Sequence, residues 1–294
     1  MKKTMLAALL FPVLVSFSQA GSEAHPDCGR VMAVYGDNKA GDAVHKKIAA
    51  LIKAARPGAV FHVGDLVSKG KNAKAWDNFM EITKDLRSSA SFYAVLGNHE
   101  AGGEKTFVKL FGFPDNGRWY RVDADGIRFI MLDYLSPLGK GSVQFKWLEK
   151  ELGSAAGKAK FTVIAMHKPL WSTGAHGHDN WAAAADLEKL FMERGVDMVI
   201  SGHDHDYERL EKNGLVQLVT GGGAELRPQA FKSPYSRIFA EVNHYCLISV
   251  CGNTLKAEVF DINNKLIDGF ELPAKKTAGT AAARVPGTTA RSHE

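Results

Sequence analysis

The chain has 294 residues, 45% hydrophobic and 23% charged, with a net charge of +5; the roughly 250 residues between its two ends suffice for one sizeable core or two small ones. Lys2 and Lys3 account for two of the five charges, and Lys275, Lys276, Arg284 and Arg291 against Glu294 account for three, so residues 21–272 are neutral. A neutral body argues against a nucleic-acid partner, which would call for clustered cations on one face.

In chain order, the first segment is MKKTMLAALLFPVLVSFSQA: two lysines, an apolar stretch from Met5 to Phe17, and small residues at Ser18 and Ala20. It reads as a secretory signal peptide over 1–20, which predicts a periplasmic or secreted protein. The stretch falls short of the roughly 20 apolar residues that a membrane span needs, and no other segment qualifies. Val31 to Tyr35 reads as a strand, and Val44, Ile48, Leu51, Ile52 and Ala55 recur at helical spacing until Arg56-Pro57-Gly58. A strand at Ala59 to Val63 follows, then one helix carrying Trp76, Phe79, Met80, Thr83 and Leu86, and a strand at Phe92 to Leu96. Trp119 to Val122 and Arg128 to Leu132 flank Asp123-Ala124-Asp125-Gly126 as a hairpin. Next come a helix over Gln144 to Leu152, a strand at Phe161 to Met166, a helix at Asp186 to Arg194 and a strand at Met198 to Ser201, and the last third is mostly short strands. With no internal repeat or linker, residues 21–272 read as one α/β domain, and 273–294, rich in Ala, Thr and Gly with no apolar period, as a disordered tail.

Strands followed by helices imply mixed or parallel sheets covered on their faces, with ligands gathering beyond the carboxyl ends of the strands. Those ends are polar: Gly36-Asp37-Asn38-Lys39, Gly64-Asp65, Gly97-Asn98-His99-Glu100, His167-Lys168-Pro169 and Gly202-His203-Asp204-His205. His203 and His205 are two apart, so an extended chain would aim both imidazoles at one spot. Three cysteines suit an exported protein. Cys246 and Cys251, five apart on one expected strand, should face opposite ways and not pair, while Cys28 is left open to either of them.

The ordered series GD, GD, GNHE, H and GHDH, with GSVQFKWLEKEL, HKPLWSTG, GHDHDYERL and LVTGGGAEL around it, resembles the calcineurin-like metallophosphoesterase superfamily, and within it the purple acid phosphatase-like branch. The likeness runs from about Val31 to Leu272. It implies a four-layer α-β-β-α sandwich of two mixed sheets flanked by helices. It also implies a site for two divalent or mixed-valence transition-metal ions, Fe, Zn or Mn, bridged by Asp65. One ion would take Asp65, Asn98, His167 and His203, and the other Asp37, Asp65 and His205. The implied reaction is hydrolysis of a small phosphate ester by metal-activated hydroxide, with His99 as proton donor and Glu100 and Asp204 orienting imidazoles. Monoesters are favoured; a phosphodiesterase, for example of cyclic nucleotides, and an inactive metal- or phosphate-binding module are the alternatives.

The chain departs from the family at two positions. Lys39 stands where the superfamily has the histidine of Asp-x-His, and Ser68 stands where the branch has a tyrosine three places after the bridging aspartate. An ammonium cannot ligate a metal, so Lys39 is read as a contact to the substrate phosphate, with water in the gap. His176 is read as substrate-binding from its loop after His167. His62 reads as a buried, hydrogen-bonded core residue, Tyr207 and Arg209 as braces for their loop, and His45 and His244 as structural or solvent-facing.

Overall fold

The computed structural model describes residues 28–154, 159–177 and 181–275, so the expected signal peptide and most of the expected tail lie outside the described residues. The chain runs β1 (Met32–Tyr35), α1 (Asp42–Ala54), β2 (Ala59–His62), α2 (Ala73–Ile82), α3 (Lys84–Ser89), β3 (Ser91–Ala94) and α4 (Glu104–Phe111). It continues with β4 (Tyr120–Ala124), β5 (Ile127–Met131), α5 (Val143–Gly153), β6 (Phe161–Ala165), α6 (Ala184–Glu193) and β7 (Met198–Ser201). The last third adds β8 (Tyr207–Lys212), β9 (Leu215–Thr220), β10 (Ser236–Ala240), β11 (His244–Cys251), β12 (Thr254–Asp261) and β13 (Leu266–Pro273).

Alternation along the strands explains the layering. In β1, Met32 and Val34 enter one apolar cluster while Ala33 and Tyr35 enter another, because neighbouring side chains leave a strand on opposite faces. β6 divides likewise: Phe161, Val163 and Ala165 go one way and Ile164 the other. The shared cluster lies between two mixed sheets, of order β13-β12-β11-β1-β2-β3 and β10-β8-β9-β7-β6-β5-β4. Phe61 of the first stacks on Phe129 of the second with ring centroids 3.8 Å apart. The outer faces are covered by helices: α1 and α3 on the first sheet, α5 and α6 on the second. Each fully buried Val, Leu, Ile or Phe contributes about 1.5–3 kcal/mol, so the shared cluster is what keeps the sheets together. The four-layer α-β-β-α sandwich is therefore the fold.

Parallel pairing of β1, β2 and β3 in one sheet and of β5, β6, β7 and β9 in the other points the carboxyl ends of these strands to one edge of the sandwich. Several details differ from the sequence reading. The helix expected from Trp76 to Leu86 is two helices joined at Thr83, whose hydroxyl bonds the Phe79 carbonyl. α4 was not anticipated; it is brief and stops at Gly112, a left-handed residue at φ 58°. β11, β12 and β13 have eight residues each rather than being short, and pair as a meander. Pro273 to Lys275, placed in the tail, are ordered: Pro273 ends β13, and Lys275 bonds the carbonyls of Gly195 and Val196. Cys28 pairs with Cys251, and Cys246 is a buried free thiol.

Candidate metal centre

Five strand ends meet at the shared edge. Asp37 follows β1, Asp65 follows β2 and Asn98 lies beyond β3, all from the first sheet; His167 follows β6, and His203 and His205 follow β7, from the second. All six expected metal ligands come together. Three of them, Asp37, Asp65 and His203, have positive φ values of 58°, 56° and 72°, so backbone strain sits on the expected ligands themselves. The adjoining glycines serve mainly by leaving room: a Cβ on Gly97 would lie 2.3 Å from Asp65 Oδ1, and one on Gly202 would lie 2.0 Å from Asp37 Oδ2. His203 and His205 flank a turn closed by Asp204 N–H to the Gly202 carbonyl at 2.9 Å, not an extended chain, and face different neighbours, Asn98 for His203 and Lys39 for His205.

Asp65, His167, Asn98 and His203 are neighbours, donor to donor. Asn98 Oδ1 is 3.0 Å from His167 Nε2 and 3.1 Å from His203 Nδ1, and His167 Nε2 is 3.5 Å from Asp65 Oδ1. A tetrahedral ion with bonds of about 2.0–2.1 Å sets its ligands roughly 3.3–3.4 Å apart, so these residues fit a metal. His167 Nδ1 donates to the Val63 carbonyl at 2.9 Å, which leaves the Nε2 lone pair facing the centre. Burial lowers His167, and burial with the neighbouring His167 and His176 holds His203 down to about 2. Both rings are neutral at neutral pH, the form that ligates. Burial alone would raise Asp65, but His167 and Lys39 outweigh it and hold its carboxyl low.

The neighbouring donors are Asp37, Asp65 and His205, whose ligand atoms lie within 4.8 Å of one another. Lys39 points into this group and not outward. Its Nζ bonds Asp65 Oδ2, lies 3.2 Å from His205 Nε2 and 4.0 Å from Asp37 Oδ1, and only 10% of its side chain is exposed. Burial and the Lys39 ammonium hold His205 down to about 3, while burial and the charge of Asp65 push Asp37 well up.

The remaining expected residues fall nearby. His99 is part-exposed: Nδ1 donates to the Ser68 carbonyl at 2.8 Å, and Nε2 is 3.9 Å from Asp65 Oδ2. His176 Nε2 accepts from Arg227, and its ring lies 4.6 Å from that of His203. Glu100 does not orient an imidazole: its buried carboxylate takes the backbone N–H groups of Asp65, Val67 and Gly97 at 2.9, 3.0 and 2.7 Å, fixing the loop that presents Asp65. Asp204 likewise accepts a backbone N–H, that of His176 at 2.7 Å. His62 is buried and bonded to Asn38. Tyr207 and Arg209 bond Asp268 on β13, bracing one sheet against the other. Sequence reasoning missed Arg227 and Glu208. Glu208 takes the N–H and hydroxyl of Thr173 and so anchors the loop carrying His176; neither residue stands in a spacing that marks it.

The profile of the calcineurin-like phosphoesterase family matches residues 31–207. Purple acid phosphatase 21 of Arabidopsis thaliana is 29% identical over 164 residues, 50% of this chain and 38% of that protein. Probable inactive purple acid phosphatase 27 of the same plant is 26% identical over 230 residues, 63% of this chain and 38% of its own length. The aligned part thus spans less than half of these curated relatives. Among solved structures, the purple acid phosphatase PPD1 from yellow lupin (Lupinus luteus) seeds superposes with a TM-score of 0.74 at 19% identity, covering 83% of this chain and 53% of the other, a likeness of fold.

Proposed function

The chain belongs to the calcineurin-like phosphoesterase family, and from that premise we propose that it is an exported, metal-dependent hydrolase of small phosphate esters that favours monoesters. The observation that carries the proposal is the donor set of Asp65, Asn98, His167 and His203, linked donor to donor at 3.0, 3.1 and 3.5 Å. Its mix of oxygen and imidazole suits Fe, Zn or Mn. When bound, such an ion supplies Lewis-acid stabilisation of charge on the phosphoryl group and a lowered pKa for water.

The chain's own residues supply the remainder. Because the Ser68 carbonyl takes the Nδ1 proton of His99, a further proton on Nε2 makes the ring an imidazolium able to donate to the leaving oxygen. Lys39 and His176 are proposed as phosphate contacts, with Arg227, bonded to His176, holding positive charge at the mouth. The Cys28–Cys251 disulfide supports export, and among the described residues no helix is long and apolar enough to cross a membrane.

A second reading, a metal- or phosphate-binding module without turnover, is favoured by Lys39 in place of a ligand. Hydrolysis of an aryl phosphate monoester and its matched diester by the purified, metal-loaded protein tests both. Chelator-sensitive turnover with the monoester ahead supports the proposal, the diester ahead selects a phosphodiesterase, and inertness on both selects the module.

A further inference from the structure

We infer that the Lys39 ammonium is the second cation of this centre, so that the chain holds one exchangeable ion beside a covalently tethered charge. The inference rests on the proposed ion at Asp65, Asn98, His167 and His203, and concerns what fills the position next to it. Three observations lead to it. First, the ammonium bonds Asp65 and His205 and lies 4.0 Å from Asp37, so the three groups that would bind a second metal already share an occupant. An ammonium has three N–H donors; Asp65 and His205 take two of them, and Asp37 stands at ion-pair distance.

Second, the backbone aims Lys39 there. Asp37 N–H bonds the Gly64 carbonyl at 3.0 Å, Lys39 N–H bonds the Asp65 carbonyl at 3.3 Å, and Asn38 Nδ2 bonds the Leu66 carbonyl at 3.0 Å. The loop after β1 is thereby stitched to the loop after β2, with the lysine root beside its carboxylate targets. A lysine at a site mouth ordinarily sends its ammonium to water, yet this one is nine-tenths buried.

Third, the shell for a second metal lacks a ligand that the family supplies. Among the described residues its acidic and histidine donors are Asp37, Asp65 and His205, with ligand atoms within 4.8 Å of one another, and Lys39 stands where the superfamily has a histidine. Ser68, which stands in place of the branch's tyrosine, borders a cavity of about 270 Å³ shared with Lys39, Asn72 and Asn78. A divalent ion among these three groups would also meet the ammonium within hydrogen-bond distance, where like charges repel strongly. This revises the reading of water in that gap: the vacancy is filled by the lysine itself. It leaves Lys39 able to touch a phosphoryl oxygen from the position a metal would have taken.

The test is a count of ions, independent of turnover. Apo protein is loaded with excess Mn(II), freed of unbound metal, and measured by elemental analysis and electron paramagnetic resonance. The wild type should hold one ion per chain with the spectrum of an isolated centre. Lys39→His, which restores an imidazole and removes the charge, should hold two with an exchange-coupled spectrum. Two ions in the wild type would overturn the inference, as would one ion in a Lys39→His variant shown to be folded by circular dichroism. One ion in the wild type with no hydrolysis of either ester would leave this inference standing and sink the proposed function, whereas no ion at all would sink both.

Discussion

Breaking the Cys28–Cys251 bridge should cost this protein several kcal/mol. The bridge joins residues 223 apart in sequence. In the native state it duplicates what the backbone already does, since Cys28 and Cys251 form an antiparallel bridge and Gly29 N–H bonds the Val250 carbonyl at 2.8 Å. Its effect is therefore mainly on the unfolded chain, where closing a loop of this length removes entropy worth roughly 5 kcal/mol at 25 °C. For a domain of this size that corresponds to a fall in Tm of about 10–20 °C, at roughly 2–4 °C per kcal/mol. The variant to make is Cys28→Ser/Cys251→Ser, compared with the oxidised wild type by urea unfolding and thermal scans with chelator present throughout. In the folded state Cys246 is buried, and that burial pushes its thiol up to about 12, away from the reactive thiolate; the unfolding runs are kept at acidic pH so that the thiol stays protonated once exposed. A loss below about 1 kcal/mol would refute the loop-entropy argument.

Gly97→Ala should abolish metal binding in a folded protein, because the new Cβ falls 2.3 Å from Asp65 Oδ1 and 2.4 Å from Asp65 N; full metal content by elemental analysis would contradict the packing argument. His99→Ala should lower kcat by about 10²–10⁴ on alkyl phosphates, which need a proton donor, and far less on aryl phosphates, which leave without one. Equal losses on both would remove His99 from that role. His244 is fully buried, donates from Nδ1 to the Val242 carbonyl, pairs through Nε2 with the Thr220 hydroxyl, and is held down to about 4 by burial. Unfolded, an imidazole titrates near 6.5, so between about pH 6.5 and 4 the unfolded state binds the extra proton and stability falls by about 3 kcal/mol as pH drops. Above that window the contribution is complete. In metal-free His244→Gln the slope of unfolding free energy against pH across this window should flatten; an unchanged slope would show that other groups carry it.

Much of the candidate site could be read in the residues because each expected ligand follows a strand and the strands are marked by simple alternation. The pattern Val-Phe-His-Val-Gly-Asp ends a buried strand at an acid, and the same construction recurs along the chain. What alternation could not supply was direction. It placed Lys39 at the right loop but not its ammonium, whose inward course depends on bonds from that loop to residues 64–66. The partners of Glu100 were illegible for the same reason: a carboxylate three residues beyond Gly97 has no local sign that it will collect N–H groups from a loop some thirty residues away. α4 escaped notice because it is brief and opens behind two glycines. The choice of Cys251 over Cys246 turned on which face of β11 each occupies, a matter of tertiary packing.

Half of the expected ligands belong to the first sheet and half to the second, so any ion they hold is a rivet through the seam between the two. Sliding one sheet past the other would pull Asp65 and Asn98 away from His167 and His203, and metal affinity therefore doubles as a gauge of how well the halves are registered. Linkage makes this reciprocal: at a thousandfold excess over its Kd an ion adds about 4 kcal/mol to the folded state. A chelator would then do more than silence the chemistry, loosening the apolar interface that Phe61 and Phe129 share.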